Sequence, residues 1–202
     1  MVHEVAVEEF AGKLFTSCLA TIELANVELG VQLGLYEALA LYGHCPTVPR
    51  SLVLVAGYAG WAGSLPAEEV QTRLQHALRL ASELPRPVRP DSLPGLFASE
   101  PPAGHVAALA AVMSDVRPVG TRVMARAFAE ADLRDLLAQI RVPTLLLHGD
   151  ADERAPRAVW ERLHADIPGS ALVLLPGVGH EVAIESPEAF DTQVRRFLAA
   201  VP

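Results

Sequence analysis

The sequence predicts an α/β fold with three parallel strands, on three observations. Residues 51–56 (Ser-Leu-Val-Leu-Val-Ala), 143–148 (Pro-Thr-Leu-Leu-Leu-His) and 170–175 (Ser-Ala-Leu-Val-Leu-Leu) are apolar runs of strand length. Near-continuous apolar character over so few residues suits strands buried on both faces. The intervals between them carry helical periodicity, the alternation expected of a parallel sheet. Two of the runs end in turns rich in reactive side chains. Gly149-Asp-Ala-Asp-Glu-Arg-Ala-Pro156 follows the second, and Pro176-Gly-Val-Gly-His180 follows the third. Asp152 and His180 are thereby expected just past the carboxyl ends of neighbouring strands, the edge where open α/β sheets bind and react their ligands.

The N-terminal region predicts a helical hairpin. Phe10, Leu14, Cys18 and Ile22 recur every four residues, and Leu24, Val27 and Val31 continue at helical spacing. Gly30 and Gly34 weaken a helix, so a break is expected near them, with a second helix over 35–43. Two helices cannot bury this many apolar groups alone. They need the rest of the chain or a second copy of it, and self-association, as a homodimer through residues 10–42, is the expectation. At His44-Cys-Pro-Thr-Val-Pro49 the character changes. The expected division is an N-terminal helical segment, 1–47, and a second part, 48–202.

In that second part, Ser64 suits a helix N-cap, with Pro66 and Glu68 in the first turn. Val70, Leu74, Leu78 and Leu80 continue the helix, and Pro85, Pro87 and Pro90 end it. Further helices are expected over about 103–114, 118–131 and 133–140. A helical insertion of this length is too long for a plain crossover. It predicts a helical cap, about 64–140, over the binding edge. Tyr58 and Trp61 either line a pocket under that cap or cover the sheet edge. Pro156 suits the start of a helix over 157–166, with Val159, Leu163 and Ile167 on its buried face.

Composition excludes several function classes. The chain has 202 residues and 51% hydrophobic content, enough for a sizeable core. A net charge of −8 without a basic stripe argues against a nucleic-acid partner. The two cysteines, Cys18 and Cys45, make no disulfide framework and fit a reducing, cytoplasmic setting. The N-terminus lacks the basic n-region of a signal peptide. Glu23, Asn26 and Glu28 interrupt the longest apolar stretch, so no membrane span is expected. The glycines of Gly57-Tyr-Ala-Gly60-Trp-Ala-Gly63 do not make a G-x-G-x-x-G loop, and no cofactor is expected. Asp150, Asp152 and Glu153 fail the EF-hand pattern at later positions. His76, His148 and His164 read as packed or solvated histidines, so no metal is expected either.

Two resemblances follow from particular stretches. Residues 10–43, especially Gly30-Val-Gln-Leu-Gly-Leu-Tyr-Glu-Ala-Leu39, resemble the N-terminal helical segment of small class I methyltransferases, which often helps dimerisation. From about residue 48 to 201 the chain resembles the C-terminal half of an α/β hydrolase of the esterase and enol-lactonase type. The residues that carry this are Arg50-Ser-Leu-Val-Leu-Val55, Val142-Pro-Thr-Leu-Leu-Leu-His-Gly-Asp-Ala-Asp152, Leu175-Pro-Gly-Val-Gly-His180 and Ser186-Pro-Glu-Ala-Phe190. The resemblance implies a partial α/β-hydrolase fold, with Asp152 as the triad acid and His180 as the triad base.

The chemistry of that pair stands on its own. An imidazole with a pKa near 6.5 takes and returns protons near neutrality. A carboxylate on its other nitrogen fixes the tautomer and stabilises the imidazolium. Acid before histidine is also the order of this fold. Asp150 reads as a residue that ties down the turn, and Glu153 as solvated. The nucleophile elbow G-x-S-x-G does not occur in the sequence. Cys45 is a candidate substitute, since Gly43-His-Cys45 echoes half an elbow. However, a helix precedes it, Pro46 follows, and position 47 is not glycine. Two readings result. One is a protein of ester or lactone hydrolase lineage acting on a small molecule, weakly active or inactive alone. The other is a non-catalytic binding or dimerisation module, or a truncated fusion product.

Overall fold

The structure, a computed structural model, describes residues 30–83, 87–89, 95–101 and 103–201. The expected first helix of the N-terminal hairpin, with Cys18, lies outside the described residues. So do most of the segment expected to self-associate and Pro85 and Pro90 of the proline-rich loop.

The elements run α1 (Gly30–His44), β1 (Leu52–Val55), α2 (Ala67–Glu83), α3 (Ala103–Asp115), α4 (Pro118–Glu130), α5 (Arg134–Leu137), β2 (Thr144–Gly149), α6 (Arg157–Asp166), β3 (Ala171–Leu175), α7 (Val182–Glu185) and α8 (Pro187–Ala200). The strands form one parallel sheet in the order β1-β2-β3. Leu52 pairs with Thr144 and Val55 with Leu147; Leu145 pairs with Ala171 and Gly149 with Leu175.

Alternation along the strands sends side chains to two faces, and each face acquires its own helical layer. On one face, Leu52, Leu54 and Leu146 pack against Leu35, Ala38, Leu39 and Tyr42 of α1 and against Trp160, Leu163 and Ile167 of α6 and its end. On the other, Val53, Val55, Leu145, Leu147 and Val173 meet Phe190 and Val194 of α8. The expected division at residue 47 thus separates elements that share one core. Of the two glycines near which a break is expected, Gly34 lies inside α1 and makes none, while Gly30 is where α1 begins and the residues before it lie outside the described residues. A glycine costs a helix interior about 1 kcal/mol. Burying Leu35, Leu39 and Tyr42 against the sheet outweighs that cost.

The helical insertion is present, and α2 packs against α4. Tyr58, Trp61, Val70, Phe128, Ala129 and Ala155 form a separate cluster beneath these helices. Tyr58 and Trp61 are therefore core residues of the insertion's base. A further cluster joins Val88, Leu96, Leu109 and Met113 to Phe97 and Ile184, and so seats α3 on α7. The helix expected over 133–140 shrinks to the single turn of α5. Asp132 bonds the Arg134 backbone N–H and guanidinium just ahead of it.

Candidate active site

The site is assembled where the turn after β2 meets the turn after β3. Gly149 ends β2, and a Cβ there would collide with the carbonyls of Val178 and Gly179. Only glycine lets the second turn lie this close. Hydrogen bonds then lace the two turns together. Asp150 N donates to the Leu175 carbonyl at 3.0 Å, and Ala151 N to the Val178 carbonyl at 3.0 Å. Gly177 N donates to Asp150 Oδ1 at 2.6 Å. Asp150 therefore ties down the turn, as its position predicts, while Glu153 is exposed.

Asp152 and His180 meet across this junction. His180 Nδ1 lies 2.8 Å from Asp152 Oδ2, and both residues are buried. With Nδ1–H donated to the carboxylate, Nε2 is the nitrogen left to exchange a proton. Asp152 Oδ1 accepts from Arg154 N at 2.7 Å and Ala155 N at 3.1 Å, which fixes the carboxylate's orientation. Burial alone pushes the Asp152 carboxyl up, but the hydrogen bond and charge of His180 outweigh it. With the Ala155 N–H they hold Asp152 below the usual carboxylate range.

The backbone around His180 is clamped by Glu185, which the sequence reasoning missed. Its carboxylate accepts from Gly179 N at 2.8 Å, Ser99 N at 2.6 Å, Ser99 Oγ at 2.7 Å and Ala98 N at 3.1 Å. It joins the His180 turn to the segment 95–101 between α2 and α3. The available signal was a lone acid in the short apolar helix Val182–Glu185. Glu181 is also buried, and its N–H bonds the Leu96 carbonyl at 2.9 Å. Burial pushes the Glu181 carboxyl up, opposed by the charges of His180 and Arg154. Tyr58, fully buried, donates to the Arg154 carbonyl at 2.7 Å. Burial raises its phenol to about 12, so it stays a neutral donor.

Cys45 is not brought to this pair. It follows α1 and precedes β1, which places it at the amino edge of a parallel sheet whose carboxyl edge carries Asp152 and His180. At least a strand's length, on the order of 10 Å, separates the two edges. The topology therefore gives Cys45 no support as a nucleophile for His180. His148 is packed, stacked on Trp160 with ring centroids 4.7 Å apart. His76 and His164 stand on α2 and α6, away from the pair in sequence and element. Among the described residues no cluster of histidine, cysteine and carboxylate side chains suits a metal ion. Nor, among them, is any helix long and apolar enough to cross a membrane.

Residues 29–193 match the family described as "Alpha/beta hydrolase family". The chain belongs to the α/β hydrolase family. The matched span starts at residue 29 and so includes all of α1. Over that helix the methyltransferase resemblance is not supported. The fold is similar to a thermophilic esterase from Thermogutta terrifontis, at 26% identity and TM-score 0.71, covering 84% of this chain and 63% of that one. It is similar also to an esterase from Exiguobacterium antarcticum, at 25% identity and TM-score 0.69, covering 96% of this chain and 71% of that one. Among curated proteins, a pimeloyl-[acyl-carrier protein] methyl ester esterase of Pectobacterium atrosepticum is 44% identical over 71 residues, 35% of this chain and 28% of that protein. The chain thus aligns with little more than a quarter of that relative.

Proposed function

We propose that this chain supplies the acid–base half of a carboxylic ester or lactone hydrolase. His180 Nε2 is the proton acceptor and Asp152 the group that orients and charges it. The observation that carries this reading is the buried 2.8 Å contact between His180 Nδ1 and Asp152 Oδ2 at the carboxyl edge of a parallel sheet. The esterase names of the relatives support the substrate class. No serine elbow stands in the sequence, and removing the serine from such a triad costs on the order of 10⁶ in turnover. The pair therefore needs a hydroxyl brought by another polypeptide segment, and the chain alone is weakly active or inactive. The test is hydrolysis of p-nitrophenyl acetate by the pure protein and by His180→Ala. A slow turnover that disappears in the variant supports the reading. A turnover that survives His180→Ala overturns it, and rates equal to buffer for both exclude catalysis by the chain alone.

One observation favours a second reading, a binding or dimerisation module. Among the described residues β1 has a strand partner on one side only. An unpaired apolar edge invites pairing with another chain. Light scattering at micromolar concentration decides this: a dimer supports the module, and a monomer removes it.

A further inference from the structure

We propose that Arg73 of α2 is a positioning residue of the Asp152–His180 pair, acting through the peptide that joins Arg154 to Ala155. The word positioning rests on the functional reading above; the hydrogen bonds do not. That peptide turns its N–H to the pair and its carbonyl to α2. Ala155 N donates to Asp152 Oδ1 at 3.1 Å. At the other side of the same peptide, the Arg154 carbonyl accepts from Arg73 Nη1 at 2.9 Å and from the Tyr58 hydroxyl at 2.7 Å. A backbone carbonyl has two lone pairs, so this acceptor is full. Asp152 Oδ2 in turn takes His180 Nδ1 at 2.8 Å. An unbroken run of hydrogen bonds thus leads from a guanidinium on α2 to the imidazole of His180.

Three features make this contact more than packing. The donor is a guanidinium, which stays protonated in proteins, and a charge-assisted hydrogen bond is roughly twice as strong as a neutral one. The donor is also held in place. Arg73 Nε and Nη2 donate to Glu69 Oε1, one turn earlier on α2, at 3.0 and 2.7 Å. The guanidinium carbon lies 5.4 Å from the centre of the Tyr58 ring, and Nη1 is left for the Arg154 carbonyl. Finally, Tyr58 and Asp152 are buried, where hydrogen bonds in series polarise one another. A donor on the carbonyl makes the N–H of the same peptide a better donor, by about 10–30% per bond. Arg73 therefore tightens the hold of Ala155 on Asp152 Oδ1 and draws off part of the charge that His180 would otherwise meet alone. Arg154 N also donates to Oδ1, at 2.7 Å, but it belongs to the preceding peptide, whose carbonyl is that of Glu153. The two N–H groups on Oδ1 thus differ in what stands behind them.

The experiment is proton–nitrogen NMR of the full chain, comparing wild type with Arg73→Met, which keeps an aliphatic stem and removes the charge and the donor. The Ala155 amide proton should move upfield as its bond to Asp152 weakens, and by more than the Arg154 amide proton. The His180 Nδ1 proton should move downfield as its own bond to Asp152 strengthens. Arg73→Lys, which keeps a cationic donor, should bring both part of the way back. Tyr58→Phe removes the second donor from the same carbonyl and should move Ala155 in the same direction; it reads the same peptide if Arg73→Met does not fold. An unmoved proton at either Ala155 or His180 in the folded variant overturns the proposal. So does a shift of equal size at Ala155 and Arg154, which marks a displaced turn and not a polarised peptide. Ester hydrolysis does not enter these readouts, so failure of the hydrolase reading leaves this result separately legible.

Discussion

The Cα of Gly149 faces the Val178 carbonyl so closely that no side chain fits between them. The triad-like pair depends on this approach, because Asp152 and His180 are carried by the two turns that meet there. Gly149→Ala is expected to push the turns apart. The stability loss should exceed about 2 kcal/mol in urea unfolding, the range of substitutions that force backbone apart in a packed site. In any folded fraction, the downfield Nδ1 proton of His180 should weaken. An Ala variant as stable as wild type, with that proton unchanged, would show that the junction has slack.

Asp150 should prove a structural anchor and not a second triad acid. Its Oδ1 receives Gly177 N at 2.6 Å and points along the turn, away from the role filled by Asp152. A charged acceptor on a backbone N–H is worth about 1–2 kcal/mol, less where solvent reaches it. Asp150→Asn keeps an acceptor and should cost well under 1 kcal/mol, with Asp150→Ala costing about 1. Amide exchange at Gly177 is the measurement, and it should quicken in Ala far more than in Asn.

Glu185 should behave as a clamp whose loss spreads to two loops. Its carboxylate gathers Gly179 N, Ala98 N, Ser99 N and Ser99 Oγ. Glu185→Ala strands these donors in a largely buried place, at a cost of about 3 kcal/mol. Glu185→Gln retains part of the network and should lose about half as much. Hydrogen exchange should rise together at Ala98, Ser99 and Gly179. A rise at Gly179 alone would mean that the segment between α2 and α3 is held by Leu96, Phe97 and Ile184 instead.

Strand positions were legible because each apolar run is short and bounded, but only β2 is buried along its whole length; β1 and β3 are only partly buried, so the expectation of burial on both faces holds for the central strand alone. Asp152 and His180 were legible because each follows a strand by only a few residues, so topology alone places them at one edge. Gly34 misled because intrinsic propensity is weak beside the burial of Leu35 and Leu39. Trp160 was missed because the 159, 163, 167 stripe is one residue narrower than the face that α6 buries. Glu185 left only the faint signal of a lone acid after an apolar run, and the stacking of His148 on Trp160 left none. Both depend on how separate elements come together, which periodicity does not encode.

The pH dependence of stability should report His148. Its native pKa is lowered to about 4, from an ordinary value near 6.5, chiefly by burial. Between those values the unfolded chain binds a proton at this position that the folded chain refuses. Stability from this group is therefore complete above about pH 6.5, falls as pH drops, and levels off below about 4. The loss between pH 7 and pH 5 should be about 2 kcal/mol, since each unit of difference is worth 1.36 kcal/mol. His148→Phe cannot take the proton in either state. Its stability should fall correspondingly less over the same interval, measured by urea unfolding at pH 7, 6 and 5. Parallel curves for the two proteins would place His148 in contact with water or with a buried acid that lets it charge.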